Sequence, residues 1–179
     1  MLRFRIPAPV AGRRGRRAIG VAAVFALGAS LAACSPTVSL DPGPQATDVA
    51  CADLSVRLPD TLDGQDARET NAQGTAAWGD PTSVLLVCGV PSLGPTTDRC
   101  IALGEGAGEV DWVEDDSNAP RYTYRTYNRT PAVEVTVDNT LASVTDVLTE
   151  LTDVVAILPA DHACVGADDV DLPTPVPTP

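Results

Sequence analysis

Residues 121–137 read RYTYRTYNRTPAVEVTV, and their strict alternation decides how the rest of the chain folds. In a strand, successive side chains project to opposite faces. Arg121 to Asn128 and Ala132 to Val137, separated by Arg129-Thr130-Pro131, therefore predict two neighbouring strands of an antiparallel hairpin. Val133, Val135 and Val137 share a face of the second strand, which marks that face as the one turned to a core.

Working outward, Ser83 to Val90 (SVLLVCGV) is a continuous apolar run bounded by Asp80-Pro81 and Pro91, the pattern of a buried central strand. Cys100 to Leu103 and Val110 to Val113 add shorter strands. Downstream, Leu141, Val144, Leu148, Leu151, Val155 and Leu158 recur at helical spacing, so 141–158 predicts a long amphipathic helix capped by Asn139 or Thr140 and ended by Pro159. A short helix is expected near Cys51 to Leu58, and loop from Asp60 to Gly79. Together these elements predict an α+β domain: an antiparallel sheet of about four or five strands, with one long C-terminal helix packed on one face.

The N-terminus points to a location. Six arginines precede an apolar stretch, Ala18 to Leu31, that leads into Leu31-Ala32-Ala33-Cys34. A positive leader, a short apolar core and small residues before a cysteine make a lipoprotein signal peptide over 1–33, with Cys34 as the lipidated first residue of the mature chain. Fourteen apolar or small residues fall short of the roughly 20 that a membrane-crossing helix needs. The expected location is the outer face of the cytoplasmic membrane, held by lipid on Cys34. Without 1–33 the chain keeps six arginines against 24 acids, a formal charge of −18, which repels nucleic acid and excludes it as a partner.

With Cys34 committed to lipid, Cys51, Cys88, Cys100 and Cys164 remain, an even number suited to two disulfides in an oxidising compartment. Three pairings are open. The favoured one joins Cys88 to Cys100 across one chain reversal and Cys51 to Cys164 across the ends of the domain. No close ligand pair and a single histidine, His162, argue against a metal, and no cofactor is expected. Proline-rich composition predicts a disordered tether over 34–49 and a disordered acidic tail over 166–179, leaving one domain at 50–165.

Alternation puts Arg121, Arg125 and Arg129 in one row with Tyr127, half the positive charge of the mature chain. With Trp78 these residues form the candidate contact face, one whose arginines can be replaced by serine with the fold intact. Catalytic groups are scarce: there is no nucleophile motif, and His162 sits beside a cysteine that oxidation consumes. The chain reads as no enzyme but a lipid-anchored binding or accessory module of the cell envelope, with a protein or glycan partner. The alternatives are a carboxylate-dependent hydrolase of envelope glycan or peptide, which needs paired acids in a cleft with one raised pKa, and a structural spacer with no concave site.

Several landmarks occur in order: Cys51 with Leu58-Pro59, Ala76-Ala77-Trp78-Gly79-Asp80-Pro81, Leu86-Val87-Cys88-Gly89-Val90, Trp112, and Pro131-Ala132-Val133-Glu134-Val135. In this they resemble the actinobacterial envelope lipoproteins catalogued as domain of unknown function 3515, with a glycine-rich loop at Gly104 to Gly108 as a departure. That resemblance implies envelope location and a single disulfide-bonded domain. It carries no catalytic residue, because the family has no assigned activity.

Overall fold

The predicted hairpin of 121–137 lies inside the sheet in a computed structural model that describes residues 36–161 and 163–164. Signal segment 1–33, Cys34, His162 and tail 166–179 lie outside the described residues. Strand β7 (Arg121–Thr126) pairs antiparallel with β8 (Ala132–Asp138), setting Arg121 opposite Asp138, Tyr124 opposite Val135 and Arg125 opposite Glu134. Around them lie β1 (Thr61–Leu62), β2 (Gln65–Arg68), β3 (Thr75–Trp78), β4 (Val84–Val90), β5 (Cys100–Leu103) and β6 (Val110–Asp115). All pair antiparallel in one eight-stranded sheet, in the order β1-β2-β3-β4-β8-β7-β6-β5.

This sheet replaces the expected four or five strands with one long helix. The extra strands β1, β2 and β3 lie in 60–79, the stretch expected as loop. Their sequences TL, QDAR and TAAW are short and mostly polar or small. Pairing with neighbours, as of Ala67 with Trp78 and Thr75 with Val87, makes them strands where no hydrophobic alternation does.

Both α-helices among the described residues are short. Helix α1 (Val49–Ser55) starts at Asp48, whose carboxylate accepts the Ala50 N–H at 2.8 Å. Helix α2 spans only Val144–Val155, because Asp138 accepts from both the backbone and the hydroxyl of Thr140 and turns 138–140 away from helix. Ser143, not Asn139 or Thr140, caps it by accepting the Asp146 N–H. Leu141, expected in the apolar stripe, is 43 % exposed, and Val147 is buried with Leu148, Leu151 and Val155. That face packs on Val133, Val135, Val137, Trp78, Trp112 and Tyr124 to form one core on one side of the sheet.

The disulfides join Cys51 to Cys88 and Cys100 to Cys164, correcting the favoured pairing. Cys88 faces the core from β4 beneath α1, where Cys51 meets it and both are fully buried. Cys100, at the start of edge strand β5, meets the segment that follows α2.

The expected 34–49 tether is also corrected, because the chain is packed from Val38 onward. Val38 N–H donates to Glu69 O at 2.8 Å, Asn71 N–H donates to Val38 O at 3.2 Å, and Gln45 N–H donates to Gly89 O at 2.9 Å. Gly89, with φ +88°, sits at a register shift in β4, and a Cβ on it would lie 2.4 Å from Ala46 N. A Cβ on Gly43 would in turn lie 2.6 Å from Gly89 C. Backbone contact of this kind leaves no mark in hydrophobic patterning, and proline-rich composition suggests the opposite.

Candidate functional site

The face of the sheet opposite the helices carries Thr75, Leu85, Val87, Val113, Asp115, Arg121, Thr123, Arg125, Glu134, Thr136 and Asp138, placed there by the alternation of β3, β4, β6, β7 and β8. A cleft of about 470 Å³ opens on it, lined by Asp98, Glu114, Asp115, Asp116, Arg125 and Glu134 among others. Arg125 Nε donates to Glu134 Oε2 at 3.0 Å, and its Nη2 meets the same oxygen, so the two charges neutralise each other at the cleft floor. Glu114 accepts from the Tyr124 hydroxyl at 2.8 Å and from Arg99 at 3.0 Å. Burial, and then this bond to a carboxylate, push the Tyr124 phenol well above the usual tyrosine range.

Of the predicted arginine row, Arg121 and Arg125 share the helix-free face and Arg129 does not join them. Arg121 is exposed and reaches Asp138 only at 3.5 Å, while Arg125 is held by Glu134. Strand β7 ends at Thr126, and Asn128 takes a φ of +47°, which turns Arg129 off the row and into the protein. There Arg129 is 4 % exposed and donates to the carbonyls of Leu158, Ala156 and Glu109, the last at 2.7 Å. Desolvation lowers its pKa, against the raising effect of nearby Asp111. Tyr127, half-buried, lines a second cleft of about 500 Å³ with Arg129, Glu109, Asp111, Leu158 and Asp161.

Trp78, the other contact candidate, belongs to the core at 1 % exposure, its indole N–H donating to Pro59 O at 3.0 Å. An aromatic before a turn carries no sign of which face it takes, so only packing resolves it. The grooves themselves also have no sequence signal: they bring Asp98, Asp115 and Arg125 together from separate strands and loops.

Among the described residues, two carboxyls have shifted acidity and one cluster brings metal-ligand-type atoms together. Asp115 and Asp138 both have carboxyls held below the usual range, Asp115 by Ser117 and Asp138 by Thr140, in each case through the hydroxyl first and the backbone N–H second. A general acid needs the opposite shift. Cys100, Asp111 and Cys164 bring three ligand-type atoms within 4.8 Å, but both sulfurs are spent on their disulfide and Asp111 accepts the Cys164 N–H at 2.7 Å.

Among curated proteins and among solved structures, no match to the chain is found. Residues 17–163, a span that takes in every strand and α-helix among the described residues, match the family described as Protein of unknown function (DUF3515), and this chain belongs to that family.

Proposed function

We propose that this protein is a non-enzymatic binding or accessory module, anchored by lipid on Cys34 outside the cytoplasm of a bacterium and acting on a protein or glycan of the envelope. The observation that carries the reading is the succession of arginines, apolar stretch and Leu31-Ala32-Ala33-Cys34. Two disulfides support it, because such bonds persist where the surroundings are oxidising. The contact region is the cleft at Arg125, where Asp98, Asp115 and Asp116 offer acceptors to hydroxyl or cationic groups.

Mass spectrometry of the protein extracted from membranes tests the anchor. The expected product begins at Cys34 and carries acyl chains. An intact residue 1 on cytosolic chain with reduced thiols overturns it. Crosslinking in living cells tests the contact region: Asp115→Asn together with Asp116→Asn should reduce capture of the partner at least several-fold, and undiminished capture excludes that cleft.

A further inference from the structure

We propose that the helix-free face around Val38 lies directly against the phospholipid headgroups, with Arg121 facing their phosphates. This rests on acylation of Cys34. The argument begins with chain length: only Ser35, Pro36 and Thr37 separate Cys34 from Val38. Four peptide steps at no more than about 3.6 Å each reach about 14 Å. The headgroup layer of one leaflet takes up roughly 5–7 Å of that. What remains is about one Debye length at physiological salt, too little to lift the domain clear of the surface field.

Val38 cannot extend the reach, since its own N–H and C=O are bonded to Glu69 and Asn71, and Leu40 N–H donates to Asn71 Oδ1 at 2.7 Å. Val38, Ser39 and Leu40 border a small cavity of about 140 Å³ with Leu85, Arg121 and Asp138, all on the face opposite the helices. Val38 and Arg121 are therefore neighbours.

Two ion pairs, Arg68 with Asp80 and Arg121 with Asp138, each at 3.5 Å, bring cations to this part of the molecule, next to the exposed acids Asp41 and Glu69 that flank Val38. Arg121 is also the one member of the predicted row with capacity to spare. Its side chain is 57 % exposed and bonds Asp138 through Nε alone, leaving the terminal nitrogens for phosphate. The Arg125 cleft shares this face, so a partner that enters it does so alongside the leaflet.

The test uses acylated protein in vesicles of phosphatidylcholine and phosphatidylglycerol, with arginines modified by phenylglyoxal and read by peptide mass spectrometry. Arg57, exposed beyond α1 on the opposite side of the sheet, is the internal reference. Arg121 should react at least fivefold more slowly relative to Arg57 with the native tether, and regain its rate when about 20 Gly-Ser residues are inserted after Ser35. Equal Arg121 reactivity with both tethers overturns the apposition. Intact mass of the same sample reports acylation, so an unacylated chain, which overturns the underlying anchor, is told apart from failure of the apposition itself.

Discussion

Arg129 donates from its guanidinium to the carbonyl oxygen of Leu158, 29 residues further along, and so ties a turn at the far end of β7 to the segment that follows α2. It also reaches, at 3.4 Å, the carbonyl of Ala156, the C-cap residue of α2, where a helix leaves carbonyls without intrahelical donors and its dipole favours a cation. The contact binds the hairpin turn, the end of α2 and the start of β6 together, since the same guanidinium reaches Glu109 O.

Arg129→Met should therefore cost about 2–3 kcal/mol in chemical denaturation, because buried carbonyls lose a charged donor. Arg121→Ser should change stability by no more than about 0.5 kcal/mol, as an exposed, loosely paired side chain. Equal effects of the two changes would place Arg129 on the surface row after all. Replacing all three arginines at once is thus no clean test of a contact face.

Each disulfide closes a long loop, of 37 residues for Cys51–Cys88 and 64 for Cys100–Cys164. Loop-closure entropy assigns each about 4 kcal/mol. Peptide mapping without reduction should recover these two linkages. A peptide joining Cys88 to Cys100 would contradict the sheet, which places Cys88 on interior strand β4 under α1 and Cys100 on edge strand β5, with three strands between them.

Gly89→Ala should release the N-terminal segment. The new methyl meets Ala46 N at 2.4 Å from a backbone with φ +88°, a strain of roughly 1–3 kcal/mol. Hydrogen exchange at residues 38–46 should accelerate well beyond that at β7 and β8, and unchanged protection there would mean the segment is held by something other than the close approach of Gln45 and Ala46 to Gly89.

Alkaline stability should depend on Tyr124. Its pKa is raised in the folded protein, first by burial and then by the bond to Glu114. The stabilisation is thus fully present below the unfolded tyrosine pKa of about 10 and is lost as pH rises above it. Urea midpoints at pH 8 and pH 11 should fall less in Tyr124→Phe than in the parent. Asp138, lowered by Thr140 and Arg121, runs in the opposite direction: its contribution is present above the usual carboxylate range and fades as pH drops through it.

Local pattern alone determined the β7–β8 hairpin, the apolar run that became β4 and the presence of an amphipathic helix before Pro159, because alternation and helical spacing are properties of neighbouring residues. It also settled that four cysteines pair within the domain, but not which. Tertiary structure decided what depends on distant partners. Strands β1 to β3 exist through pairing and not through their own hydrophobicity, and Arg129 leaves its expected row because the strand stops three residues earlier. Cys51 finds Cys88 because α1 lies over β4, and the chain from Val38 is fixed by a glycine-to-glycine backbone approach. In each case the deciding energy comes from contacts between segments far apart in the chain, whose meeting no local spacing encodes.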